Sequence, residues 1–323
     1  TSLSAVTSFE TRCEALRLFK RREMLRIGIR DLLGIATPVE TYTVLSELAG
    51  AVIQASYELV DHNLRKRFGR FGPAASIDGT SEGFSVLAMG KLGGWELNYS
   101  SDVDLIYVYH APTGNTKAGK GQTSISRMLY CETLARELTG VLTAATSEGT
   151  LFRVDLRLRP EGTVGPLTSS LDDALHYYQS RGRTWERLAF LKAKPIAGNI
   201  RVGQALIHGL SNFVYGNEEG EDPVFPAIQS LRSQILAKMI RRGEVDRHVK
   251  LGTGGIREIE FIVQGLQLRW GYRYPKIRDR QTLKGLMKLT QIGKMTKQEA
   301  RTLKLSYVFL SNLEHKLQMV HAL

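Results

Sequence analysis

Two aspartates separated by one valine, Asp102 and Asp104, stand in MGKLGGWELNYSSDVDLIYVY (residues 89–109), at the head of an apolar run. A third, Asp155, sits among arginines in LFRVDLRLRP (residues 151–160). Side chains two apart on a strand share a face, so Asp102 and Asp104 project together while Val103 and Leu105 turn toward a core. The same parity gives Arg153, Asp155, Arg157 and Arg159 one face, and Val154, Leu156 and Leu158 the other. Carboxylates this close repel unless a cation lies between them. Three on neighbouring strands make an oxygen-only ligand set suited to Mg²⁺. Two Mg²⁺ roughly 4 Å apart can clamp the attacking and leaving oxygens of an in-line phosphoryl displacement. Asp102, Asp104 and Asp155 are therefore expected to be both metal-binding and catalytic. A lone Asp-x-Asp is also explained by a capped turn and a solvated strand edge. The Gly-Lys turn upstream, the third aspartate and its arginines make the pattern specific.

The elements that must hold these residues can be read around them. FSVLAM (84–89) is apolar enough for a buried strand, GKLGG is a turn, DVDLIYVY (102–109) is a second strand, and residues 150–160 alternate as a third. A helical pattern over 123–146 separates the last two. Before them, residues 6–67 read as helices, with Val39, Tyr42, Leu45, Leu48, Val52, Ala55 and Leu59 at spacings of three and four. The Gly-, Ser- and Pro-rich stretch 68–83 reads as a connecting loop. After Pro160, LDDALHYYQS, TWERLAFLKAK, VFPAIQSLRSQILAKMIRR, REIEFIVQGLQLRWG and KQEARTLKLSYVFLSNLEHKLQMV all carry helical patterns, broken by KLGTGGIRE (250–258). The expected fold class is α+β: a small mixed sheet with flanking helices, a helical N-terminal lead-in and a C-terminal helical bundle. The expected divisions are 1–80 (lead-in), 81–200 (catalytic unit) and 201–323 (helical bundle).

This pattern resembles the DNA polymerase beta-type nucleotidyltransferase superfamily: a strand ending in Gly plus a small or polar residue, Asp-x-Asp about ten residues on, and a third acid on a later strand. Gly90 and Lys91 take the glycine-serine position. Lysine there departs from the general pattern but matches one narrower family, that of the bifunctional glutamine synthetase adenylyltransferase/adenylyl-removing enzymes. GKLGGWELNYSSDVDLIYVY, RVDLRLRPEGTVGPL, YYQSRGRTWERLAFLKAKPIAG and KLGTGGIREIEFIVQ resemble its blocks in order, from residue 86 to about 268. Full-length members carry an adenylyl-removing half followed by an adenylyltransferase half, and this chain has room for one. The Gly-Gly-Ile-Arg-Glu-Ile-Glu-Phe and Gly-Arg-x-Trp-Glu-Arg blocks look more like the removing half.

The resemblance implies that inorganic phosphate attacks AMP esterified to a tyrosine of glutamine synthetase, releasing ADP by phosphorolysis. It implies Mg²⁺, ADP or ATP as nucleotide, and regulation by the PII signalling protein and glutamine. Lys91, Arg157 and Arg159 are then the expected cations, since bringing a phosphate dianion against a phosphodiester demands positive charge. Gly90, Gly93 and Gly94 are expected to bring backbone N–H groups to phosphate, and Ser100 and Ser101 to touch it or to cap the loop. Phosphate arrives already ionised, so a strong base is unnecessary in this direction. In the transferring direction a tyrosine hydroxyl must be deprotonated, and Asp155 is the candidate.

The other conspicuous residues read as structural. Gly252, Gly254 and Gly255 precede a helix start and offer either an anion site or a plain loop. Glu258 and Glu260 lie on different sides of a helix, so at most one faces a cleft. Trp185 reads as packing, Lys192 and Lys194 as solvated, and the seven histidines show no triad or metal spacing.

Composition sets the outer limits. The 323 residues include 44 Lys+Arg against 32 Asp+Glu, a net charge of +12, which favours an anionic partner. A nucleic-acid nucleotidyltransferase would share the triad and the charge, but no aromatic-rich basic strand of the kind that stacks bases is present. A regulatory module that keeps only the fold would not need all three aspartates. Two distant cysteines, Cys13 and Cys131, form neither a disulfide framework nor a zinc motif, and fit a reducing cytoplasm. No run approaches the ~18–20 apolar residues of a membrane span, and the N-terminus lacks the pattern of a secretory signal. The sequence opens on Thr1 and is expected to be a piece of something longer.

Overall fold

A computed structural model describes residues 8–70, 83–110, 113–216, 224–243 and 248–322. Two long helices come first: α1 (Phe9–Leu32) and α2 (Pro38–Phe68). Thr37 and Glu40 form a capping box at the start of α2, with Pro38 in its first turn, where a missing N–H costs nothing. Most of the loop expected over 68–83 lies outside the described residues.

The sheet has five strands: β1 (Gly83–Ala88), β2 (Val103–His110), β3 (Val154–Asp155), β4 (Thr168–Ser170) and β5 (Lys194–Gly198). β2 runs antiparallel to β1, which runs antiparallel to β5. On its other edge β2 pairs in parallel with β3 near its start and with β4 near its end. The third strand is therefore much shorter than the expected 150–160. After Asp155 the chain leaves the sheet and returns at Thr168. Arg159 holds this excursion, donating to the carbonyls of Leu156 (2.8 Å), Pro166 (2.9 Å) and Gly165 (3.2 Å).

Both faces of the sheet are covered, which is why β1 and β2 read as near-continuous apolar runs. Val86, Ala88, Val103, Leu105 and Tyr107 pack under α1, α2 and α4 (Arg127–Thr143). Leu87, Met89, Ile106 and Val108 pack on the other side, against α5 (Leu171–Arg181), α6 (Thr184–Phe190) and α7 (Ile200–Gly209) and residues of α9 (Val224–Arg242) and α10 (Ile256–Trp270). A four-residue helix, α3 (Gly90–Gly93), links β1 to the loop before β2, and α8 (Ser211–Tyr215) follows α7. The chain ends in α11 (Thr282–Gln291) and α12 (Lys297–Ala322), which join α10 through Val263, Leu286, Leu289, Ile259 and Tyr307. No helix among the described residues is long and apolar enough to cross a membrane.

Candidate active site

Asp104 and Asp155 are register partners across the parallel β2–β3 pair, so their Cα atoms sit about one strand spacing apart, ~4.8 Å. Asp102 lies two residues before Asp104 and on the same side. This is the parity of Ile106 and Val108, whose face the C-terminal helices cover. At Asp104 that cover opens into a cavity of about 520 Å³, lined by all three aspartates. Gly90 closes its floor. It adopts φ +53°, and a Cβ there would fall 2.3 Å from Asp104 Oδ2, so glycine is required for the turn and for the carboxylate behind it.

Of the other residues expected at the site, Lys91, Ser100, Ser101 and Arg157 line the cavity, whereas Gly93, Gly94 and Arg159 do not. Gly93 packs against the carbonyls of Lys192 and Ala88, and Arg159 is used up by the β3–β4 excursion. Trp185 lines the cavity beside Leu188 and Ala189.

The three carboxylates differ in their surroundings. Asp102 Oδ1 accepts from Arg153 Nε at 2.6 Å, and Asp155 accepts from the Arg157 guanidinium and backbone N–H. The Arg157 hydrogen bonds hold the Asp155 carboxyl below its usual range. The Asp104 carboxylate receives no hydrogen bond among the described residues. Burial, then the charge of Asp155, pushes its carboxyl up to about 6, with Lys250 and Arg257 opposing and Asp102 adding to the rise. Among the described residues no three acidic, imidazole or thiol groups stand close enough to hold an ion as they are. Two of the three aspartates are turned to arginines instead. The donor set still fits a hard divalent cation: all its atoms are oxygen, and the most buried member lacks a positive partner.

Beneath the triad is a second charged group. Lys192 is 5% exposed and bridges Glu96 (2.8 Å) and Glu260 (2.6 Å), which corrects the reading of it as solvated. Burial alone would raise the Glu260 carboxyl, yet Lys192 and Arg257 hold it at about 2. Glu96 also accepts from the Thr282 N–H at 2.7 Å, tying the loop before β2 to α11. Glu258 points away, to Arg232, so only one of the two glutamates faces the cavity. Lys194 lies 3.1 Å from the Trp95 ring centroid.

Two further elements reach the site. From α12, Glu314 pairs with Lys91 and accepts from Asn98 (2.9 Å), while Gln318 accepts from the Ser100 N–H (3.2 Å). The loop before α10 curls on itself: Ile256 and Arg257 N–H groups donate to the carbonyls of Val249 (3.1 Å) and Lys250 (3.0 Å). Those amides are consumed, so the plain-loop reading of its glycines holds. Lys250, Arg257 and Gln318 also line the cavity. Glu314 and Gln318 carry no mark in the sequence beyond a helical spacing of four. Lys250 and Arg257 were recoverable from the ends of KLGTGGIRE.

The chain is similar to known proteins over nearly its whole length. The family model described as glutamate-ammonia ligase adenylyltransferase matches residues 1–208, and one described as GlnD PII-uridylyltransferase matches residues 229–322. Proteins named bifunctional glutamine synthetase adenylyltransferase/adenylyl-removing enzyme are 40% identical over 97% of this chain in Nitrosococcus oceani and 39% identical over 94% in Pseudomonas aeruginosa. One from Xanthomonas axonopodis pv. citri is 36% identical over 94%. The chain spans about a third of the length of these relatives, 32%, 30% and 32% respectively.

Proposed function

Because the chain belongs to the glutamate-ammonia ligase adenylyltransferase family, we propose that it removes AMP from an adenylylated tyrosine of glutamine synthetase by phosphorolysis, releasing ADP. The observation carrying this reading is the register pairing of Asp104 with Asp155, with Asp102 beside them in the same cavity. Asp102, Asp104 and Asp155 are the residues that would hold Mg²⁺, two ions in our reading, once Arg153 and Arg157 release their carboxylates. When bound, the ions would supply charge neutralisation at the phosphoryl group.

The chain's own residues account for the rest. The Gly90 turn gives close access to Asp104, and Ser100 and Ser101 border the phosphate path. The Leu158 and Trp185 side of the cavity offers apolar surface to the adenosine. Hydrogen phosphate brings its own nucleophilic oxygen, so no side chain need act as a strong base. The adenylyltransferase direction, AMP moved from ATP to tyrosine, is the second reading. It is favoured by the description of the matching family model, adenylyltransferase, and the tyrosine hydroxyl would then need a base, for which Asp155 is the candidate. The match of residues 229–322 to the PII-uridylyltransferase model supports PII as a regulatory partner.

The test is incubation with adenylylated glutamine synthetase, Mg²⁺ and phosphate, with ADP as readout. ADP formation is expected. AMP transfer from ATP in place of ADP release would assign the chain to the other direction. Asp104→Asn is expected to lower either reaction by about a thousandfold or more, the scale of losing an essential charged group at the reacting phosphoryl. Undiminished turnover in that variant would overturn the site.

A further inference from the structure

Six cationic side chains line the cavity: Lys91, Arg153, Arg157, Lys192, Lys250 and Arg257. Four are taken. Glu314 holds Lys91, Asp102 holds Arg153, Asp155 holds Arg157, and Glu96 with Glu260 hold Lys192. Lys250 makes no side-chain hydrogen bond or ion pair among the described residues. The one ion pair of Arg257 among the described residues is to Glu260, at 3.8 Å and already bonded to Lys192, and the buried Nε of Arg257 has no hydrogen-bond partner. Two partly buried cations that face the carboxylates across a cavity, with no side-chain hydrogen bond of their own among the described residues, carry a desolvation cost that a directly bonded anion would offset.

The backbone holds this pair in place. Arg257 N–H donates to the Lys250 carbonyl at 3.0 Å, so the two residues are clamped together although seven apart in the chain. The clamp needs Gly255: a Cβ there would lie 2.7 Å from the Val249 carbonyl oxygen, 2.8 Å from that of Gly252 and 2.9 Å from that of Lys250. A preset spacing of two donors, one an ammonium and one a guanidinium fork, suits a tetrahedral oxyanion.

We infer that Lys250 and Arg257 form the subsite for the attacking inorganic phosphate, opposite the aspartates that serve the AMP phosphorus. This rests on the phosphorolytic reading above and assigns its second substrate. The step balances with no further reactant. An oxygen of hydrogen phosphate forms the bond to the AMP phosphorus. The bond from phosphorus to the tyrosyl oxygen breaks, its electron pair stays on that oxygen, and the proton that the phosphate carried neutralises it. Lys91, the cation the sequence favours for this work, is engaged by Glu314 and is left to shape the Gly90 turn.

Two measurements on the full chain test the subsite. Titration with inorganic phosphate, followed by calorimetry, is expected to saturate in the unaltered chain. It should weaken at least tenfold in Lys250→Gln and in Arg257→Gln, with Lys250→Arg recovering part of the loss and every variant still melting cooperatively. In the phosphorolysis assay the same variants should raise KM for phosphate at least tenfold and leave KM for adenylylated glutamine synthetase alone. Equal phosphate affinity in all variants overturns the subsite whether or not ADP is formed. Loss of ATP affinity with phosphate affinity intact overturns it too, and gives the pair to a nucleotide triphosphate tail. An unaltered chain that binds phosphate through Lys250 yet makes no ADP would instead overturn the phosphorolytic reading and leave the anion site standing.

Discussion

Two sets of carboxylates, one lining the cavity and one reaching it only through Glu260, are balanced differently. Glu96 and Glu260 enclose Lys192, are themselves buried or half-buried, and have their charges met at 2.8 and 2.6 Å by a cation from another element. Asp102, Asp104 and Asp155 stand at the sheet edge, where the deepest of them has no partner and the outer two lean on arginines that are largely exposed. The first group fastens the turn between α6 and β5, α10 and the loop before β2 to one another. The second leaves the Asp104 carboxylate without an ion pair where a ligand can reach it. Charge balance thus separates the part that supports the fold from the part available for chemistry, although both are built from the same residue types.

The largest effect should come from breaking the balanced group. Lys192→Met would leave Glu96 and Glu260 in a buried site without the cation that bridges them, and is expected to cost about 3–5 kcal/mol of stability. Replacing all three members together (Glu96→Gln, Lys192→Met, Glu260→Gln) should restore much of that loss. Denaturant melts of the two proteins decide it. A single Lys192→Met variant as stable as the unaltered chain would mean that the group does not hold the fold.

The same chemical change, carboxylate to amide, should have opposite signs in the two groups. Glu260 is held at about 2, below its unfolded value, so its contribution is present above about pH 4.5 and is lost as pH falls toward 2. Glu260→Gln should therefore destabilise at neutral pH. Asp104 is raised to about 6 from an ordinary 3.8. Its protonated form favours the fold fully below 3.8, and that contribution disappears as pH rises through 6. Without metal, Asp104→Asn should stabilise at pH 7 by no more than about 3 kcal/mol, two units at about 1.4 kcal/mol each, and by almost nothing at pH 4. Thermal melts in chelator across that range read both signs. A destabilising Asp104→Asn would remove the distinction between the groups.

Sequence patterns reach one of these groups far better than the other. The triad was legible because strand parity is local: Asp102 and Asp104 sit two apart, and Val103 and Leu105 fill the opposite core as expected. The third strand was read too long because its end is set from outside, by β4 returning to the same edge of β2. β5 was not read as a strand: the helical pattern TWERLAFLKAK runs only to its first residue, Lys194. KPIAG carries a proline and a glycine, but it lies at the edge of the sheet, where Pro195 can be accommodated. The Lys192 group was not legible, since its partners are 96 and 68 residues away and lysine alone reads as solvated. The anion pair occupied the middle ground: the glycine-rich loop drew notice, but only the paired state of the other cations singles out Lys250 and Arg257.

The smallest effect sharpens the comparison at the triad itself. Arg153 and Asp102 form an ion pair with side chains 66% and 52% exposed, a setting in which such pairs contribute roughly 0–1 kcal/mol. Arg153→Ala should therefore leave the melting temperature nearly unchanged. If this arginine only stands in for a cation, its removal also frees Asp102, and divalent-ion affinity, read by calorimetry with Mn²⁺, should rise a few-fold. A fall in affinity would mean that Arg153 positions Asp102 for the ion rather than competing with it. A loss of several kcal/mol in stability would place the pair with Lys192 and its glutamates, as part of the framework.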